Sequence, residues 1–180
     1  MSINCPEIFD KVYVFDLNIH KDNRGILFEN YRSDKKLTEI KFCQENIAIS
    51  KFGVLRGLHF QKEPYAQSKL ITVIKGEIQD VIVDLRKNSK TFGDTCSIIL
   101  SEKEGKQLFI PKGFAHGFLT LSEQSIVQYK VDNYYSPNNQ SAIAYDDKEL
   151  DIKWKLGSKD IILSQNDIQN NSFANTTYFK

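Results

Sequence analysis

Apolar and β-branched positions recur in short runs broken by polar turns, and few of the runs keep a helical period. Val12–Leu17 is β-branched and aromatic, and Phe42–Ser50 alternates in part. Lys69–Lys75 ends at Gly76 and Glu77–Arg86 follows at once, so Lys75–Gly76 is expected to be a tight turn between two paired strands. Cys96–Leu100, Gln107–Ile110, Phe118–Leu121 and Ser125–Val131 continue the series. Short strands at regular spacing predict an all-β sandwich or barrel. Alternation is weak from Ile78 to Leu85, which predicts a strand covered on both faces. One early helix is expected over Asp34–Ile40, with Ser33 as its cap. Ser136–Lys155 is polar and offers a helical turn at Asp147–Leu150. Ser164–Lys180 is rich in Asn, Ser and Thr and reads as a loop, a frayed end or a strap across a neighbour. No repeat or linker divides the chain. The expectation is one domain over 1–180, with a barrel core at about 42–132 and a polar C-terminal strap at about 137–180.

Composition narrows the function. A chain of 180 residues can bury one sizeable core. Twenty-four basic and 23 acidic residues leave a net charge of +1, which gives no electrostatic case for nucleic acid or a membrane surface. Only four residues are arginines, Arg24, Arg32, Arg56 and Arg86, and arginine is the better bidentate ligand for phosphate. Cys5, Cys43 and Cys96 are too few and scattered for a disulfide framework or a zinc site. Met1–Lys11 carries no signal pattern, and no apolar run approaches the ~18 residues of a membrane span. A soluble, cytoplasmic protein with reduced thiols is expected.

Three histidines, His20, His59 and His116, carry the candidate chemistry. His20 lies in a polar run and is expected to be unremarkable. Gly105, Pro111, Gly113 and His116 fit the second signature of cupin barrels, G-x5-P-x-G-x2-H. The first signature is visible in part, since Gly53 precedes His59 correctly and Gly76 closes it. Gln61 and Lys69 stand where that signature places a second histidine and a glutamate. A cupin metal needs neutral imidazoles and a carboxylate, whereas an ammonium repels a cation. No metal is therefore expected. The slots suit an anion instead: an imidazole takes a proton next to a carbonyl and the ammonium holds the enolate oxygen. Gly57, His59 and Gln61 alternate onto one strand face, and Arg56 needs a bend or bulge to join them.

Val54-Leu-Arg-Gly-Leu-His-Phe-Gln61 closely resembles the signature of dTDP-4-dehydrorhamnose 3,5-epimerases. So do Tyr65-Ala-Gln-Ser-Lys-Leu70, Thr91-Phe-Gly93, Ile110-Pro-Lys-Gly-Phe-Ala-His-Gly-Phe118 and Tyr129-Lys-Val-Asp-Asn-Tyr-Tyr-Ser-Pro137, in family order and spacing from about Asp22 to Asp167. The resemblance implies a cupin-type antiparallel β-barrel (jelly roll) with a few short helices, usually a homodimer, working without metal or cofactor. It implies inversion of C3 and C5 of a nucleotide-diphosphate 4-keto-6-deoxy sugar, with dTDP-4-dehydro-6-deoxy-D-glucose the expected substrate. On this resemblance His59 is the general base, Asp167 its partner, Tyr129 the acid on the opposite face and Lys69 the group near the ketone oxygen. Arg56 matches a diphosphate ligand, and His116 and Asp80 match a second pair beside the sugar. Gln44, Asn46, Tyr135, Arg24, Phe28 and Glu29 match positions lining the nucleotide or sugar site, some contributed across the dimer.

Residue by residue, plainer roles stay open. Tyr129 could be ordinary core, Lys69 a snorkelling rim residue, and Asp80 a satisfied buried carboxylate. Asn23, Ser68, Tyr145 and Asn166 depart from the family pattern. Alternatives are an epimerase acting at C3 alone or on another dTDP- or GDP-linked 4-keto sugar, such as a heptose. A metal-dependent cupin enzyme and a non-catalytic sugar-binding cupin are the readings from other classes.

Overall fold

A computed structural model describes residues 9–34 and 37–180. The chain forms β1 (Tyr13–Asp16), β2 (Ile19–Asp22), β3 (Gly25–Phe28), β4 (Gln44–Lys51), β5 (Leu55–Gln61), β6 (Lys69–Lys75) and β7 (Glu77–Asp84). It continues with β8 (Thr95–Ser101), β9 (Lys106–Ile110), β10 (Phe114–Thr120), β11 (Gln124–Val131), β12 (Gln140–Ala142) and one short helix, α1 (Gln165–Ile168). Among the described residues, two five-stranded sheets, in the orders β1-β9-β6-β11-β4 and β12-β5-β10-β7-β8, and the separate β2–β3 hairpin hold the strands. Every ladder between strands is antiparallel.

The core between the sheets joins Ile71, Val73, Leu108, Ile110 and Val127 of one sheet to Ile78, Ile82, Ile98, Leu100 and Phe118 of the other. The outer face of the second sheet is buried as well. Leu58, Phe60, Val81, Val83 and Ala115 are covered there by Ile143, Leu150, Phe173 and Phe179 from the C-terminal third. Apolar side chains on both faces of β7 explain its missing alternation. The tail is accordingly a strap on its own barrel, fastened by bridges from Val54 to Ile162 and from Arg86 to Phe179.

Three expectations need correction. β6 and β7 are separated by Gly76 alone but lie in different sheets, so Gly76 is a corner between the sheets and not a hairpin turn. Its φ is +80°, and a Cβ there would fall 2.2 Å from the Gln124 carbonyl oxygen. The helix expected over Asp34–Ile40 is not seen in the described part of that span, which lies in turns, with Leu37 at φ +56°. A left-handed residue with a branched side chain breaks a helix. Cys96, expected to be reduced, is disulfide-bonded, while Cys43 is free and exposed. The helical turn at Asp147–Leu150 does form: the Asp147 carboxylate accepts from the Glu149 and Leu150 N–H groups. No described helix is long and apolar enough to cross a membrane.

Candidate active site

Between the two sheets, at the end where β5 and β11 finish, lies a cavity of about 510 Å³. His59, Arg56 and Gln61 reach it from β5, His116 and Phe118 from β10, Lys69 from β6, Tyr129 from β11 and Asn46 from β4. Tyr135, Gln140, Ser164, Asn166 and Asp167 complete its lining, with Tyr135 exposed at the rim and Asp167 buried.

The bulge that Arg56 requires is present on β5. His116 pairs with His59 and Phe118 with Arg56, so three residue steps on β5 match two on β10. The extra residue turns Arg56 onto the face of His59, while Leu58 and Phe60 point to the outer core. Gly57 makes this possible at φ +131°, because a Cβ there would lie 2.4 Å from the Gly117 Cα. Ser50 accepts a hydrogen bond from Arg56 Nε at 3.0 Å and so holds the guanidinium from β4.

His59 meets Asp167 across the chain, Nε2 to Oδ1 at 2.5 Å. The tail brings Asp167 there by pairing Ile162 with Gly53 and Leu55, which sets α1 beside β5. Ser164 caps α1: its hydroxyl accepts from the Asp167 N–H and donates to the carboxylate at 2.8 Å. Burial pushes the Asp167 carboxyl up, but its hydrogen bonds with His59 and Ser164 bring it below the usual carboxylate range. An ionised Asp167 accepts the Nε2 proton, and Nδ1 has no hydrogen bond among the described residues. The ring is thereby oriented with a free lone pair.

His116 and Asp80 form a second, fully buried pair at 2.9 Å. Burial lowers the His116 imidazole against the raising effect of Asp80, and the Lys69 charge lowers it further, which favours the neutral ring. Lys69 Nζ lies 3.4 Å from the His59 carbonyl oxygen. Burial lowers its ammonium to about 8 from the ordinary 10.5, with the Asp80 carboxylate opposing. Tyr129 packs on the core, and burial raises its phenol above 10, opposed by the Arg56 charge. It holds its proton at neutral pH. An imidazole thus stands on one sheet, and a protonated phenol and an ammonium on the other.

The family model for dTDP-4-dehydrorhamnose 3,5-epimerase matches residues 7–175. The chain belongs to this epimerase family. It is 40% identical to the dTDP-4-dehydrorhamnose 3,5-epimerase of Shigella flexneri over 185 residues, covering 99% of each chain. The crystal structure of dTDP-6-deoxy-D-glucose-3,5-epimerase from Legionella pneumophila, in complex with dTDP-4-keto-L-rhamnose, superposes with a TM-score of 0.90 at 37% identity, covering 98% of this chain and 94% of that one. The Bacillus anthracis epimerase, with TDP and PPi bound, gives 0.87 at 43% identity, covering 96% and 99%. The expected cupin-type epimerase fold is therefore the observed one.

As a member of this epimerase family, the chain brings His59, Asp167, Tyr129, Lys69, Arg56, His116, Asn46 and Tyr135 together at one cavity. Asp80 stands behind His116, and Gln44 behind Asn46, to which its amide donates at 3.0 Å. Arg24, Phe28 and Glu29 are on or next to the β2–β3 hairpin, outside this cavity. Arg24 is paired there with Asp22. Gln67, Ser164 and Ser50 were not singled out from the sequence. Their roles depend on which loops the fold apposes, and a lone Ser or Gln in sequence carries no such signal. Among the described residues no group of three or more His, Cys, Asp or Glu is placed to hold a metal ion.

Proposed function

We propose that the chain inverts C3 and C5 of dTDP-4-dehydro-6-deoxy-D-glucose, giving dTDP-4-dehydro-L-rhamnose. The observation that carries this reading is the placement of an oriented imidazole on one sheet and a protonated phenol on the facing one, with a half-buried ammonium beside them. His59 takes the proton from the carbon next to the C4 ketone. The C–H electron pair moves into the enolate, whose oxygen is held by the Lys69 ammonium. Tyr129 returns a proton to the other face of that carbon, and the ketone re-forms. The C4 ketone acidifies both C3 and C5, so the same groups serve both carbons. Arg56 binds the diphosphate through Nη1 and the remaining N–H of Nη2, since Nε is bonded to Ser50 and Nη2 also donates to the Ile49 carbonyl oxygen.

The donor set supports chemistry without a metal or cofactor, because an ammonium and an amide whose polar atoms are bonded elsewhere occupy the former ligand slots. We further propose a cytoplasmic homodimer. The β2–β3 hairpin leaves Ile26 at 56% and Leu27 at 73% exposure, and the edge strand β4 leaves Ile47 and Ile49 similarly bare. Arg24, Phe28 and Glu29 would then reach the cavity of the neighbouring subunit. Incubation with dTDP- and GDP-linked 4-keto sugars in D₂O, followed by mass, tests the substrate. Uptake of two deuterons on the dTDP sugar is expected. Uptake only on the GDP-linked sugar would overturn the thymidine assignment.

A further inference from the structure

Gln61 occupies a former metal-ligand slot, on the same strand face as His59, but its amide does not serve the cavity. Nε2 donates to the Tyr65 carbonyl at 2.7 Å and to the Tyr134 carbonyl at 3.1 Å, and Oε1 accepts from the Ser136 N–H at 2.6 Å. Both donors of the amide are used. The side chain is 4% exposed, so these bonds are largely shielded from water. Two of them grip the residues on either side of Tyr135. Tyr135 is itself 54% exposed and lines the cavity rim, and it takes no part in either apolar core. Its remaining ties are polar, from its N–H to Gln44 and from its hydroxyl to Gln140.

We propose that Gln61 is a positioning residue that acts through Tyr135, holding this rim of the cavity in its ligand-binding form. The segment 132–136 crosses from β11 towards the other sheet, and so does 62–68 from β5 to β6. Gln61 ties both crossovers to the end of β5, two residues from His59. The inference rests on the epimerase reading, because it assigns Tyr135 to the sugar-nucleotide site. With the tether gone, the rim is only fractionally competent, and apparent affinity falls by that fraction. A ligand that binds has reselected the seated form, so turnover from the bound state is preserved.

The test is a double-mutant cycle on KM and kcat, with deuterium uptake into the dTDP-linked 4-keto sugar as the assay. Gln61→Met keeps the length of the side chain and removes all three bonds. It should raise KM roughly tenfold and leave kcat per folded molecule within about threefold. Tyr135→Ala should also raise KM, and adding Gln61→Met to it should do nothing further. Gln61→Glu, which keeps the acceptor for Ser136 and removes both donors, should raise KM in the wild-type background alone, and it decides the matter if the methionine variant does not fold. Additive effects on KM, or an unchanged KM in folded variants, would overturn the proposal. Absence of uptake by the wild-type protein would instead overturn the epimerase reading.

Discussion

Replacing Lys69 by Met tests the ammonium that is to hold the enolate oxygen. Methionine matches the length of the lysine stem and removes only the charge and its donors. The cost in kcat follows from losing a preorganised donor at a developing oxyanion, about 10²–10³-fold, or roughly 3–4 kcal/mol. The pH profile is the sharper readout. With its ammonium at about 8, Lys69 is charged in roughly nine molecules of ten at pH 7 and in one of ten at pH 9. kcat should therefore fall above pH 8 in the wild-type protein, and the residual activity of Lys69→Met should lack that limb. The Asp80 carboxylate supports the charge, so Asp80→Asn should move the limb to lower pH. Stability should change the opposite way. Burial lowers the folded-state value below the 10.5 of the unfolded chain, so the folded state binds fewer protons between pH 8 and 10.5 and gains stability as pH rises through that window. Below 8 the whole cost of burying the charge is present. Lys69→Met should consequently raise Tm at pH 7 while lowering activity. The assay is deuterium uptake from D₂O between pH 6 and 10, with Tm from calorimetry at pH 7. A wild-type profile flat to pH 9.5, or a mutant that keeps the alkaline limb, would refute this role for Lys69.

His59→Asn should lower deuterium wash-in at C3 and C5 by at least roughly 10²–10⁴-fold, with thymidine diphosphate still bound in calorimetry. Tyr129→Phe should lower net inversion more than isotope exchange, measured on the same sample, because abstraction by His59 does not need the phenol. Exhaustive chelation should leave kcat unchanged, and a loss restored by a divalent metal would contradict the donor-set argument. Gly57→Ala should cost at least ~2 kcal/mol in urea unfolding, because its Cβ would lie 2.8 Å from the His116 carbonyl oxygen as well as against Gly117.

Much of the barrel was legible because strand length and apolar content are local properties. Both ends of β6 and the start of β7 coincide with the edges of apolar runs, and the weak alternation of β7 reflects its second apolar layer. Whether two consecutive strands pair is not local. At Gly76 the close approach of the Gln124 backbone turns the chain from one sheet to the other, and nothing beside Gly76 in sequence states it. The β2–β3 hairpin escaped notice because its strands are four residues each and largely exposed, so they carry no buried pattern. In the site, the spacing of Arg56 and His59 required a bulge, and β5 has it. Asp167 was reachable only by resemblance. Its approach to His59 spans 108 residues and depends on backbone bonds between Ile162 and the start of β5. The polar tail concealed this, because Phe173 stands alone among Asn, Ser and Ala and the remaining anchors, Tyr178 and Phe179, come only at its end.

The central claim is that protons leave the sugar towards one sheet and return from the other, at two carbons. NMR of the product formed in D₂O from the dTDP-linked 4-keto sugar tests it most directly. The expected product carries deuterium at both C3 and C5, each with inverted configuration. Inversion with the original hydrogens retained, or deuterium at one carbon only, would contradict the account.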